Sequence, residues 1–324
     1  MSLRSLILVP CTVAALAGFW LGAVSRFAPA PFEVDWIDGL YTRKELAARE
    51  SGAGKILIVW GSGTHFGFSA ERLTAATGIK AVNLGTHAGL GLEYLLYRAE
   101  RSLNPGDTVV LAIEPTLMHD TVPSQILAAF VTFKDPAFLL RTSLVTGVRL
   151  VFGFSPAQLV KTWGMRRLAW TSPLYRVETV SAVGDETVRV SELSSPATRA
   201  NLLGAPPVSA GIADPGHPPE ALAQFLTFAR ERRVQVLQAW TPMLRNPAYA
   251  TSAYERYYAD VAQWFIRGGA VPVSHPSRYF LSIDDVFDWV MHANERGKLK
   301  ATDALASEVC RVRQCEHRHV LLEP

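Results

Sequence analysis

Basic clusters are missing from this 324-residue chain. Lys and Arg number 32 against 29 Asp and Glu, for a net charge of +3. No Lys/Arg run and no interleaved aromatic patch occurs, which excludes nucleic acid as an expected partner. Cysteine is scarce as well, with 3 in total. Cys11 lies in an apolar segment, so Cys310 and Cys315 are the only pair in the body. His317 and His319 stand nearby, but the spacing is too compressed for the usual structural zinc patterns, and no metal is expected. No internal repeat is visible, so the length is read as one large domain carrying an insertion.

What the chain does have, first of all, is apolar residues, 49% of the total. Part of that excess is local: Leu6–Val24 carries no charge and just reaches the length that spans a bilayer. Arg4 precedes it, while Arg26 and then Glu33, Asp35 and Asp38 follow, a weak bias toward a cytoplasmic amino terminus. Residues 1–27 are read as a transmembrane anchor. A cleaved signal peptide is the rival, since Ala23-Val24-Ser25 and Ala28-Pro29-Ala30 resemble small-residue cleavage sites. Residues 28–54, Pro-rich and then mixed polar, are read as a linker and membrane-proximal connector. In an exported chain the Cys310–Cys315 pair reads as one disulfide closing a short loop.

Alternating strand and helix signals begin at Lys55. Ile56–Val59 is a short apolar run suited to a strand buried on both faces of a parallel sheet. It breaks into Gly61-Ser62-Gly63, after which Ser69 is placed to cap a helix over Ala70–Thr77. Lys80–Leu84 is a second strand, Leu92–Leu103 a helix with an apolar stripe, and Thr108–Ile113 a third strand closed by Glu114-Pro115. A parallel α/β sheet follows from this order. Ser124 to about Trp170 is helical and rich in Phe and Leu, read as core or membrane-proximal packing. The whole stretch from about 124 to 218 is an insertion, with a β stretch at Thr187–Val190. Helices over Pro219–Arg232 and Ser252–Gly268 and strands over Val234–Ala239 and Ala270–Val273 complete the core.

A strand, a Gly-bounded Ser and a helix put one hydroxyl at the carboxyl end of the sheet, where ligands of open α/β sheets sit. Far along the chain, Asp288-Trp289-Val290-Met291-His292 supplies a base with a carboxylate four residues upstream to orient it. Ser62, His292 and Asp288 therefore form a candidate nucleophilic arrangement, identified by role and not by chain order. Gly61, Gly63 and Gly67 also fit a variant of the dinucleotide fingerprint. That reading needs an acid near the end of the second strand, where Asn83 and Leu84 stand, so no cofactor is expected. His65 and His87 in site-facing loops, Glu114 at a strand end, and Asn294 complete the candidates for substrate contact.

The phrases GSGTHFGF, VNLGTHAGLGLEYLL, NPGDTVVLAIEP and DWVMHANERGKLKATDAL, taken in order, resemble the SGNH (GDSL-like) hydrolases, in particular exported bacterial members associated with polysaccharide modification. Asp288, His292, Asn294 and Gly297 match the Asp-x-x-x-His-x-Asn-x-x-Gly block of such proteins. The resemblance covers roughly 55–113 and 234–309. It implies a flavodoxin-like three-layer α/β/α fold and ester chemistry on acyl groups of a cell-surface or secreted polysaccharide. Ser62 would be the nucleophile, His292 the base and Asp288 its orienter. The Ser62 amide would form the oxyanion hole, with Gly85, Gly89 or Asn83 contributing. A membrane acyltransferase is an implied partner, and the implied location is the bacterial inner membrane, single-pass, with the body in the periplasm or outside. The chain departs from the pattern in three places: the residue before Ser62 is Gly61 and not Asp, Gly63 follows it where Asn is common, and Glu114-Pro115 stands in place of a Gly-x-Asn. The loss of a side-chain donor leaves open a second reading, a polysaccharide-binding or scaffold component without chemistry.

Overall fold

The computed structural model describes residues 3–27, 30–119, 122–154, 174, 176–209 and 216–316. In chain order the elements are α1 (Leu3–Phe27), α2 (Phe32–Glu50), β1 (Ile56–Val59), α3 (Ser62–Gly67), α4 (Ala70–Thr77), β2 (Ala81–Asn83), α5 (Gly91–Glu100), β3 (Thr108–Ile113), α6 (Gln125–Phe133), α7 (Leu144–Phe152), α8 (Pro196–Leu203), α9 (Glu220–Glu231), β4 (Gln235–Trp240), β5 (Met243–Leu244), α10 (Ser252–Arg267), β6 (Val271–Pro272), β7 (Phe280–Leu281) and α11 (Glu295–Arg313). Two compact units emerge, Met1–Asp38 with Gly89–Gly91 and Thr121–Tyr175, and Gly39–Ala88 with Leu92–Asp120 and Arg176–Pro324. The insertion expected from about 124 to 218 thus divides between them.

The larger unit is an α/β body around a five-stranded sheet of order β2-β1-β3-β4-β6, every pairing parallel, consistent with three layers. This is a doubly wound order, and its direction of winding reverses between β1 and β3. Both strands are buried along their whole length, as their continuous apolar runs require. Their register pairs Ile56 with Thr108 and Val59 with Leu111. One step before the paired stretch, Lys55 and Asp107 form a fully buried ion pair at 2.5 Å. Asp107 also accepts from Gly54 N at 2.7 Å and Asn104 N at 2.7 Å, so its remaining lone pairs are used. A pair with satisfied partners is tolerated inside, whereas one left without its mate is not.

Helix α4 packs on β2 and α11. Ser69 caps it as expected, accepting from Arg72 N. A second cap comes from the inserted chain: Asp185 accepts from Ala70 N at 2.7 Å, Glu71 N at 3.0 Å and Ser69 Oγ at 2.9 Å. A carboxylate on the first-turn amides also meets the positive end of the helix dipole. The stretch 28–54, expected as a connector, contains α2, whose Leu40, Tyr41, Lys44, Ala47 and Ala48 are buried in this unit. The polar residues between them hide a helical stripe. Thr187–Val190 forms no strand; Glu186 makes a lone antiparallel bridge to Val180, and Val190–Leu193 is a 3-10 turn.

In the smaller unit α1 packs against α6 and α7. Phe130, Phe138, Leu150 and Phe154 are buried there, and Lys134 lies 2.8 Å from Asp35 and 3.4 Å from Asp38. The Leu6–Val24 stretch is helical, but among the described residues no helix is long and apolar enough to cross a membrane. The expected transmembrane helix is therefore not found there; the side chains of Leu6, Ile7, Val9, Pro10 and Leu21 lie outside the described residues. Asp107→Ala is expected to destabilise the chain by about 3–5 kcal/mol, because it strands a buried ammonium. Urea denaturation measures this, and Lys55→Met together with Asp107→Asn, which keeps acceptors for Gly54 N and Asn104 N, should recover part of the loss.

Candidate active site

β1 ends at Val59, and within three residues the chain has turned into α3, with Ser62 its first residue and Gly61 its cap. The other half of the site comes from the loop between β7 and α11. That loop is pinched shut by a bridge between Val286 and Ala293 and by Phe287 N donating to His292 O at 3.1 Å. Its tip carries Asp288 and His292. Asp285 anchors its base, accepting from Ser282 Oγ at 2.6 Å, Arg296 Nε at 2.6 Å and Lys300 Nζ at 2.9 Å. Although burial opposes ionisation, these donors hold the Asp285 carboxyl down at about 2.

The three candidates named from sequence meet. Ser62 Oγ lies 2.9 Å from His292 Nε2, and His292 Nδ1 lies 2.7 Å from Asp288 Oδ1. With its Nδ1–H donated to Asp288, the imidazole presents the Nε2 lone pair to the Ser62 hydroxyl. Phe287 stacks on the His292 ring at 5.6 Å between centroids and Phe66 lies against it at 5.0 Å, so its plane is fixed by packing on two sides. His87 also belongs here: burial, then the charge of His292, lower it to about 4.

The other expected oxyanion and contact residues are used differently. Asn83 is buried and donates to Thr64 O at 3.2 Å and Phe68 O at 2.9 Å, while its Oδ1 accepts from Gly85 N at 2.9 Å. The Asn83 amide hydrogens are taken by the two carbonyls and the Gly85 N–H by Asn83 Oδ1, so neither donor is available to an oxyanion. Gly89 lies in the smaller unit, where its carbonyl accepts from Ser124 Oγ. Asn294 caps α11 by accepting from Gly297 N at 3.1 Å and donates to Asp284 O at 2.8 Å. It holds a helix end and does not face a substrate. Gly297 is required beside it, since a Cβ would stand 2.2 Å from Asp285 O.

His65 and Glu114 are buried behind the turn instead of facing the crevice. His65 Nδ1 lies 3.0 Å from Lys44 Nζ, and its Nε2 lies 3.4 Å from Glu186 Oε2. Burial, then the Lys44 charge, lower His65 to about 3, so it accepts from Lys44 as a neutral ring. Lys44, itself lowered to about 7 by burial, donates to Gly85 O at 2.7 Å. Lys298 donates to Glu186 O at 2.7 Å. Lys44, Glu186 and Lys298 escape sequence reading because each belongs to a different distant segment. Glu114 Oε1 accepts from Gly63 N at 2.9 Å, with the Gly61 and Thr64 amides also directed at the carboxyl. Burial raises it from 4.5 to about 7 against those amides. The Cys310–Cys315 disulfide forms as expected at the end of α11, with Cα atoms 4.5 Å apart. His317 and His319 lie outside the described residues.

Comparisons with family models, curated proteins and solved structures find no match.

Gly63 follows Ser62 directly, and a Cβ there would stand 2.3 Å from Thr241 Cγ2. Gly63→Ala should therefore cost about 1–3 kcal/mol by overpacking. Thr241→Ser keeps the hydroxyl that donates to Ala112 O at 2.6 Å and removes the obstructing methyl. The thermal midpoint of the double variant should return toward the parent. A second prediction concerns pH. Because the Glu114 value is raised from 4.5 to about 7, its contribution to stability is fully present below 4.5 and lost as pH rises through about 7. Urea midpoints of the parent and of Glu114→Gln, compared between pH 5 and pH 8 or thereabouts, should show a smaller decline in the variant.

Proposed function

We propose that this protein is a serine esterase or O-acyltransferase of the SGNH type, acting on O-acyl groups of a cell-surface or secreted polysaccharide. The observation that carries the reading is the Ser62–His292–Asp288 relay, at 2.9 Å and 2.7 Å, beyond the carboxyl end of β1. Position supports it too, since the relay stands where the winding of a flavodoxin-like sheet reverses.

In this reading Ser62 Oγ attacks an acyl carbonyl while His292 Nε2 takes its proton, and Asp288 steadies the imidazolium. The carbonyl oxygen becomes an oxyanion and meets the Ser62 N–H, which has no acceptor among the described residues. Collapse expels the alcohol, protonated by His292, and leaves an acyl-serine. Water or a sugar hydroxyl, deprotonated by the same His292, then takes the acyl group and frees Ser62. His87, held neutral by burial and by the charge of His292, is in this reading the side chain that joins the relay at the substrate.

The reading also places the body in the periplasm or outside, with the amino-terminal helix on the inner membrane. The disulfide fits an oxidising compartment. Exposed Leu8, Leu16 and Phe19 on α1, and exposed Leu140, Leu144 and Val145 before and within α7, are apolar surface of the kind lipid covers. A membrane acyltransferase would supply the acyl group when the reaction is transfer. A second reading, a polysaccharide-binding scaffold without chemistry, is favoured by one observation: the Asn83 amide is spent inside the fold, so the hole lacks that side-chain donor.

The full chain with p-nitrophenyl acetate decides between the two. Expected are hydrolysis, an acyl adduct on Ser62 by mass spectrometry, and a fall of about 10,000-fold in kcat for Ser62→Ala, with a comparable loss for Asp288→Asn. No hydrolysis and no adduct, together with an intact cellular phenotype in Ser62→Ala and His292→Ala, would establish the scaffold.

A further inference from the structure

Glu114 follows the last residue of β3, 1% exposed, directly behind the turn that carries Ser62. Among the described residues no cation pairs with it, and its partners are backbone amides: Gly63 N at 2.9 Å, with those of Gly61 and Thr64 around it. Gly61 and Gly63 are the residues on either side of Ser62. A Cβ on Gly61 would stand 2.7 Å from Glu114 Oε1, and one on Gly63 would stand 3.0 Å from it. The carboxyl thus lies against both flanking glycines, which Ala88 and Thr241 also crowd, a Cβ on Gly61 standing 2.9 Å from Ala88 Cα and one on Gly63 standing 2.3 Å from Thr241 Cγ2. A buried carboxyl without a cation is costly, and the cost falls when the group is protonated.

We propose that Glu114 is a positioning residue for the acyl-transfer site: it clamps the amides flanking Ser62, keeps the Ser62 N–H directed at the oxyanion, and serves the reaction best as the neutral acid. This rests on the esterase reading above. The last part follows from charge. An ionised Glu114 sits behind the amides of the turn and opposes the negative charge that develops in front of it, in surroundings where water screens little. Titratable groups on the neighbouring elements are His65 on α3, His87 beyond β2, Asp288 and His292 in the β7–α11 loop, and His119 further along its own segment. None of them hydrogen-bonds Glu114 among the described residues. Burial brings the carboxyl to about 7, so the neutral form is populated near neutrality.

Glu114→Gln keeps an acceptor for Gly63 N and abolishes the charge; Glu114→Ala abolishes both. With the full chain and p-nitrophenyl acetate, Glu114→Ala should lose about a hundredfold in kcat with KM little changed, as misplacement of a reacting group does. Glu114→Gln should keep kcat within about threefold of the parent near pH 6, and should lack the decline of the parent as pH rises through about 7. Equal losses in both variants, parental activity in Glu114→Ala, or the parental pH limb in Glu114→Gln would each overturn the proposal. A readout independent of activity is the Gly63 amide resonance of the 15N-labelled chain. It should move with pH around 7 in the parent and stay fixed in Glu114→Gln; a resonance that does not titrate in the parent overturns the clamp even where Glu114→Ala fails to fold. A parent that hydrolyses no ester but shows the titrating Gly63 amide overturns the esterase reading and supports the clamp alone.

Discussion

The register between β1 and β3 is the constraint on which the rest of the molecule depends. The strands pair at a constant offset, Ile56 with Thr108 and Val59 with Leu111. Extended backward by one residue, that offset sets Lys55 against Asp107, which form the buried ion pair. Extended forward past the last paired residues, it sets Ser62 against Glu114. A slip by one residue would separate both couples and turn each strand's side chains to the opposite face. Charge at one end and backbone amides at the other therefore specify the same alignment. The apolar runs between them, buried on both faces, would tolerate others.

Behind the site lies a second layer of polar contacts that joins four parts of the chain. Lys44 from α2, His65 from α3, Glu186 from the inserted segment and Lys298 from α11 are all buried and in contact in sequence. Such a network is costly unless its members are satisfied, and satisfied networks fix one arrangement of the elements that hold them. Its effect at the site is indirect. His65 stands one turn along α3 from Ser62, so whatever holds His65 also fixes the axis on which the hydroxyl is carried. Asp185 does the same for α4, reaching its amino end from 115 residues away.

Much of the core could be read from the chain. Thr108–Ile113 agrees with β3 residue for residue, Ala70–Thr77 with α4, and the Asp-x-x-x-His spacing delivered Asp288 to His292. Continuous apolar runs and Gly-bounded turns are local signals, and local signals survive without coordinates. What could not be read were the partners of buried polar groups. Asn83, Asn294 and Glu114 carry the right chemistry for substrate contact, but their hydrogen bonds go to backbone groups of the fold itself. Residue type alone does not separate a polar group that faces a crevice from one spent on its own fold. α2 was hidden for a related reason, since its buried stripe includes a lysine.

Ser62 and His292 are separated by 230 residues, and the loop bearing the base closes only when Asp285 has met Arg296 and Lys300 from the last helix. The hydroxyl therefore leaves the ribosome long before the group that would activate it. A chain interrupted between Glu114 and His292 contains the serine, its glycines and its carboxyl, but not the imidazole. A copy truncated there lacks the Ser62–His292–Asp288 contacts altogether, however well its sheet has formed.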